Sequence, residues 1–405
     1  MHKRSLRQLF LSITSLFVGN LSSTIFSFYL SLYVLQKTES SFTFSLILVL
    51  QPIVNLLFSP ITGYLVDKFS HKLMALYAQI ISLICMIGYI LSINMFTKIN
   101  FQIILIGLVI LILAICDSLQ STSYKASTLE IVIEDHQQKL VSYEQMVTAI
   151  ITILAPILGG IAFGIFNLIQ ISLIELVGEV IVLGIILRLD FELVRKAQKM
   201  KSVSIMKSFT EGLSFIKKDP LLRGLLVFAI FANVSLSSIE VGIPIIILQK
   251  LHLNSQIYGW IQSFVAIGMI AGSLILGSLE LKKDYLKQTG QLGIMMTMGF
   301  LMVGFLSLSK VNVLVIVGMS ICMLLIGIAV AGINLPYSLY VRTEISENIQ
   351  GRVGSTTSSL VSTLSPVGYI VFGVLFNQVP AIWNFILCAL ILLIDSGYLL
   401  LHKDN

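Results

Sequence analysis

Of 405 residues, 56% are hydrophobic and only 11% are charged, with a formal net charge of +6. An average soluble domain carries roughly 25% charged residues, so no soluble enzyme or binding module fits and lipid is expected to surround most of the chain. The positive balance calls for no nucleic-acid partner, because the basic residues cluster beside long apolar runs, where they meet anionic headgroups.

Met1-His2-Lys3-Arg4 opens into an apolar run that is too long for a secretory signal and lacks a small-residue cleavage site, so it reads as an uncleaved first span. Twelve such runs succeed one another, near 9–35, 42–66, 73–96, 101–124, 142–165, 167–189, 221–249, 256–279, 286–308, 311–340, 353–376 and 380–401. Each can cross a hydrocarbon core that needs about 20 helical residues. Helices satisfy their own backbone groups in lipid, and the ~10-residue alternating segments of a strand barrel do not occur. The expected fold is an all-α polytopic membrane protein with twelve transmembrane helices.

With the amino terminus inside, every Lys and Arg except Lys37, Lys98, Lys250 and Lys310 falls on the cytoplasmic side. Both termini are therefore expected in the cytoplasm, and the chain in the cell (inner or plasma) membrane. Cys85, Cys116, Cys322 and Cys388 lie inside spans without a CxxC pair and read as packing residues. His2, His71, His136, His252 and His402 lie at span edges or termini, so no metal site and no cofactor is expected.

One long polar segment, Asp190 to Asp219, separates six spans from six, giving halves at 1–189 and 220–405 joined by a linker at 190–219. Within it Ile205, Phe209, Leu213 and Ile216 recur at helical spacing among Lys207, Glu211, Lys217 and Lys218, which predicts an interfacial amphipathic helix. The fifth span reads Leu154-Ala155-Pro156-Ile157-Leu158-Gly159-Gly160 and the eleventh Leu364-Ser365-Pro366-Val367-Gly368-Tyr369. Matching prolines, each removing a backbone bond, predict matching helix bends in two pseudo-symmetric halves.

Between the second and third spans stands Gly63-Tyr64-Leu65-Val66-Asp67-Lys68-Phe69-Ser70-His71-Lys72. It resembles the signature of the major facilitator superfamily, with Ser70 for the usual Gly and His71 for the usual Arg. Glu211 to Arg223, and Gly351-Arg352-Val353-Gly354-Ser355, are similar to the branch that holds macrolide-efflux proteins and the enterobactin exporter. The two-half architecture is borrowed from that family. On physical grounds Gly63 would let a helix approach closely, and Asp67 would cap or face a helix N-terminus. Arg352 is expected as a further partner of Asp67. The resemblance implies that Gly63, Asp67, Lys68, Lys72 and Arg352 form a gate closing the cytoplasmic side. In the second half, Leu281 stands where Asp67 would align, so that joint looks degenerate.

No Walker-type nucleotide loop occurs, so the drive must come from a gradient or another subunit. Coupling to protons needs acids at membrane depth. Glu240, four residues before Pro244, is the first candidate, and Asp117 in the inner part of the fourth span the second. The resemblance places the first, fourth, seventh and tenth spans around the cavity, which favours both. Glu175 and Glu179 share one helical face; they read either as a proton relay or as a packed acidic stripe, since the family places the sixth span at the periphery. Asp395 reads more as packing. Asn20, Gln51, Asn55, Asn233 and Asn334 read either as path-lining groups or as helix glue, and Phe26, Phe28, Tyr29, Phe228, Phe231 and Met269 as lining of an apolar cavity or as packing. No Arg or Lys occurs in 111–116, where many drug/proton antiporters of the superfamily carry an Arg, which puts their specific mechanism in doubt.

The expected function is secondary export of an amphipathic small molecule, drug- or macrolide-like, in exchange for protons. It would proceed by rocking two six-helix halves about a midplane cavity, the chain acting as a monomer among membrane lipids. A lipid or lysolipid flippase, and a siderophore or metabolite transporter, are the alternatives. A membrane-embedded enzyme or sensor is disfavoured by the lack of a His-Glu-x-x-His or Gly-x-Ser-x-Gly motif.

Overall fold

The computed structural model describes residues 2–95, 98–191, 193–194, 205–278 and 284–402. Its α-helices are α1 (His2–Thr38), α2 (Ser41–Lys68), α3 (His71–Ser92), α4 (Ile99–Ile131), α5 (Glu134–Ile165), α6 (Leu168–Arg188), α7 (Ile205–Lys218), α8 (Pro220–Pro244), α9 (Ser255–Gly277), α10 (Tyr285–Leu306), α11 (Asn312–Glu344), α12 (Glu347–Gln378) and α13 (Ala381–Leu401). Twelve of them are long and apolar enough to span a membrane, and α7 is the exception. Leu91, Ile104, Leu274 and Ile394 are each more than 60% exposed, an arrangement that lipid, not water, can cover.

Several helices outrun the apolar segments that announced them. α1 begins at His2, α5 at Glu134 and α12 at Glu347, while α4 runs on to Ile131 and α11 to Glu344. All five extensions lie at the end expected to face the cytoplasm. Hydropathy measures the thickness of the oil, whereas the helix continues for as long as its backbone bonds propagate. The 33 residues of α4 rise about 50 Å at 1.5 Å each, well beyond a hydrocarbon core of about 30 Å.

The chain divides into two compact units, one of 1–37 and 50–201, the other of 38–49 and 202–405. In the first, α1 and α5 are held by Val147, Ile151 and Ala155 against Ile13, Leu16, Phe17, Leu21 and Ile25. At one end of this unit Leu9, Ala75, Ile131, Leu140, Ile186 and Phe191 close a second core.

In the second unit, α9 and α11 cross where Gly268 faces Gly327. A Cβ on Gly327 would strike the Val265 carbonyl oxygen, and one on Gly268 the Leu324 carbonyl oxygen. Association in lipid rests on close packing rather than on water exclusion, so these glycines set the helix separation. The opening turns of α2 also belong to this unit. Ser41 N–H donates to Asn377 Oδ1 at 3.1 Å, and Ser45 rests on Gly373 of α12.

The linker helix is present as α7, and the Ile216 end of its apolar face packs on protein. Ile216 is 2% exposed in a core with Leu222, Leu226, Val341, Ile345 and Val353. Gly212 lies directly under Thr356 and the Arg352 carbonyl, and Glu211 pairs with the Arg352 guanidinium. Spacing reveals an apolar stripe and not what covers it. Gly212→Val is expected to lift α7 from α12 and speed tryptic cleavage after Lys217 and Lys218; a digestion rate equal to that of the parent would contradict this packing. The basic stretch 195–204, and 279–283 with Leu281, lie outside the described residues.

The three prolines sit in unlike settings. Pro156 and Pro366 lie within continuous α5 and α12. Pro244 ends α8, and residues Ile245–Lys250 continue as a π-helical turn. Having no N–H, Pro244 leaves the carbonyl of Glu240 without its i+4 donor, and a wider turn is one way a helix accommodates that loss.

Candidate functional site

Two sets of acids lie at membrane depth, one in each unit. In the second unit, Glu240 of α8 accepts a hydrogen bond from the Tyr369 hydroxyl of α12. Tyr369 is 9% exposed, and Tyr258 of α9, 5% exposed, lies near both members of the pair. Ser237, the hydroxyl that proximity in sequence suggested as a partner, donates to Asn233 O at 3.3 Å and packs on Gly368. Glu240 thus takes its donor from a different helix, 129 residues away. No spacing rule could have found Tyr369. Its only signal was its place in the Pro366-Val367-Gly368-Tyr369 segment.

In the first unit, Asp117 and Glu175 lie near Glu179, which anchors a hydrogen-bond network. Ser23 Oγ of α1 donates to Asp117 Oδ2 of α4 at 3.0 Å. On α3, Ser82 Oγ donates to Glu179 Oε1 at 2.5 Å and the Gln79 amide donates to Glu179 Oε2. Gln120 Nε2, one turn beyond Asp117, occupies Gln79 Oε1 at 2.6 Å. Glu175 is 1% exposed and Glu179 8%. Sequence reasoning named the three acids but missed Gln79, Ser82, Gln120 and Ser23. On α13, Asp395 Oδ2 is buried without a hydrogen-bond partner.

The uncharged candidates separate by exposure. Asn20 of α1, Gln51 and Asn55 of α2 and Asn334 of α11 are exposed, while Asn233 is half-buried and turns its amide back to Ala229 O at 3.1 Å. Phe26 and Phe228 are fully buried and belong to the packed interior, whereas Phe231 is exposed.

The signature between α2 and α3 is arranged differently from expectation. Asp67 does not cap α3; that place is taken by Ser70, whose side chain accepts from Leu73 N–H at 3.5 Å. A hydroxyl accepts from a backbone N–H where the usual glycine has no acceptor to offer. Gly63 has no helix of its own unit pressed against it, since a Cβ there would meet open space; that turn of α2 is largely exposed. Lys68 holds its ammonium 5.6 Å over the rings of Tyr64 and Phe69. Lys72 Nζ donates to Leu189 O at 2.8 Å and Leu187 O at 3.4 Å, capping the carbonyl end of α6. His71 Nδ1 lies 3.2 Å from Glu130 Oε2 of α4. Within the second unit, the Arg352 guanidinium pairs with Glu211. The reason is local: α7 carries Glu211 directly to the first turns of α12.

Residues 12–373 match the Major Facilitator Superfamily. Macrolide efflux protein A of Streptococcus pyogenes is 24% identical over 369 residues, covering 89% of this chain and 87% of that protein. An uncharacterized transporter of Bacillus subtilis, YfiS, is 23% identical over 387 residues, covering 92% and 88%. Among solved structures, a bacterial homologue of the iron transporter ferroportin in an inward-facing state aligns with a TM-score of 0.74 at 12% identity, over 98% of this chain and 99% of that one. A bacterial homologue of the lysosomal transporter Spinster aligns with a TM-score of 0.70 at 11% identity, over 98% of each. Likeness at such identity is a likeness of fold. Taken with the twelve spans, the match along most of its length makes this a multi-pass membrane transporter and not an enzyme, and the chain belongs to the Major Facilitator Superfamily.

Proposed function

We propose that this protein is a secondary efflux transporter that moves amphipathic, macrolide-like small molecules outward across the cell membrane by alternating access, in exchange for protons. The observation that carries the reading is the similarity to macrolide efflux proteins along 89% of the chain. Acids at membrane depth, costly there and hence rarely retained without use, supply the coupling chemistry. Glu240 is the proposed proton carrier on the substrate path. Its proton can leave or return while Tyr369 keeps a hydrogen bond to either form, so the carboxyl changes charge without losing its place.

The exposed amides Asn20, Gln51, Asn55 and Asn334 support a wet path, since an amide turned to hydrocarbon would forfeit its hydrogen bonds. Gly63, Asp67, Lys68 and Lys72 form the proposed gate, with Arg352 acting through Glu211 and α7. Both termini and α7 are proposed to lie in the cytoplasm, a reading the basic residues around them support, and the protein is proposed to work as a monomer, in two halves on either side of the 190–219 linker.

A panel of chemically varied toxic compounds, applied to cells with and without the protein, tests this. Macrolides and other amphipathic compounds are expected to be tolerated at several-fold higher concentration when it is present, and a protonophore to abolish the difference. Unchanged tolerance across the panel, with transbilayer movement of a labelled lysolipid in proteoliposomes, would replace efflux by lipid flipping.

A further inference from the structure

The acids of the first unit are not equivalent. Glu179 accepts from the Gln79 amide and from Ser82, so its negative charge is met by two donors. The Gln79 oxygen accepts from Gln120 Nε2 at 2.6 Å, which leaves its nitrogen for Glu179. Gln79 also donates to the Glu179 backbone carbonyl at 2.9 Å, which fixes the amide further. Glu175, one turn earlier on the same face, is 1% exposed, and neither of its oxygens has a hydrogen-bond partner within bonding geometry. Its neighbours are Glu179, Ser22 of α1 and Asp117. Gly178 brings Ser22 there, since a Cβ on that glycine would stand 2.5 Å from Ser22 Oγ.

The titratable groups around this pair are Asp117 and Cys116 on α4 and Cys85 on α3. None of them can carry positive charge. Arg188 on α6, Lys72 and His71 on α3, and Lys3, Arg4, Arg7 and Lys37 on α1 lie near helix ends, and Lys125 lies about two turns beyond Asp117 on α4. Glu179 is nine residues inward of Arg188, about 14 Å along the helix, and Glu175 is about 20 Å inward. Two carboxylates four residues apart, both buried and neither in an ion pair among the described residues, cannot both stay ionised. Among the described residues no cluster suited to a metal ion occurs either.

We propose that Glu175 and Glu179 form a proton-binding site inside the first unit, in which one proton resides on Glu175 and is exchanged with Glu179 under the control of Gln79 and Ser82. The site is separate from Glu240, which lies in the other unit. It deepens the proton-coupled reading above and rests on it for its use in transport, though its protonation is an equilibrium property measurable without transport. The two donors on Glu179 stabilise the ionised partner, and Glu175, 1% exposed and with only the Ser22 hydroxyl beside it as a donor, keeps the proton. This is the division of environment by which paired carboxyls take different roles. The network also ties α6, which family resemblance placed at the periphery, to α1, α3 and α4.

Infrared difference spectra of the purified full-length protein in detergent, in H2O and D2O at neutral pH, test the site directly. A protonated-carboxyl band that shifts in D2O is expected in the parent protein and is expected to lose intensity in Glu175→Gln. In Glu179→Gln the band should persist but move, because the proton no longer has a second carboxyl to visit. Identical carboxyl bands in the parent and both variants would overturn the assignment. Should Glu175→Gln fail to fold, an unmoved band in Glu179→Gln overturns it alone. Replacing choline by sodium as the only cation should leave the band unchanged; its loss would assign the pair to a sodium ion and overturn the proton site. Efflux insensitive to protonophore with the Glu175 band intact would sink the coupling reading alone.

Discussion

Glu240→Gln is expected to reduce gradient-driven efflux to the level of cells lacking the protein, while leaving the amount of folded protein unchanged. Glutamine has nearly the same volume, and its carbonyl oxygen accepts from the Tyr369 hydroxyl as the carboxylate does. What it cannot do is release a proton. Substitution therefore removes the exchangeable charge and keeps the packing of α8 on α12. Efflux measured as loss of a preloaded fluorescent substrate, with and without an imposed pH gradient, reads the outcome. Wild-type rates in Glu240→Gln would remove this residue from the mechanism. Tyr369→Phe gives an intermediate expectation, since it leaves Glu240 titratable but without its donor.

The largest structural effect is expected where α9 crosses α11. Gly327→Leu would drive a Cβ into the Val265 carbonyl and to 3.0 Å from the Gly268 Cα and the Met269 N. All three are backbone atoms, so no side-chain rotation relieves the clash and the two helices must part. Overpacking typically costs about 1–3 kcal/mol, and here it also separates a helix pair that lipid gives no hydrophobic reason to reassociate. Reduced yield and a melting temperature lowered by several degrees in detergent are the expected readouts, with Gly327→Ala less affected. A Gly327→Leu protein that melts with the parent would show that this crossing does not limit stability.

Both predictions turn on contacts that differ in how far the sequence announced them. Glu240 stood out because a lone acid four residues before a proline in an apolar run is rare. Tyr369 did not, since a tyrosine in a span is ordinary and its hydroxyl gains meaning only from what lies across the interface. The same holds for Gln79 and Ser82 around Glu179, 100 and 97 residues away. Ser70 illustrates the reverse: a departure from the family signature, it is also the residue that caps α3. Arg352 is expected in the gate by resemblance, and only the tertiary structure shows its pairing with Glu211, which α7 brings to α12.

The sequence alone determined the solvent, the twelve spans, the linker helix and the family, because each depends on composition or period within some 20 consecutive residues. Tertiary structure decided which donor serves which acid, which glycines carry a helix crossing, and what covers α7. Those depend on the rotation and separation of helices a hundred residues apart, and hydropathy, being nearly uniform around an apolar helix, holds no information about which face meets which neighbour.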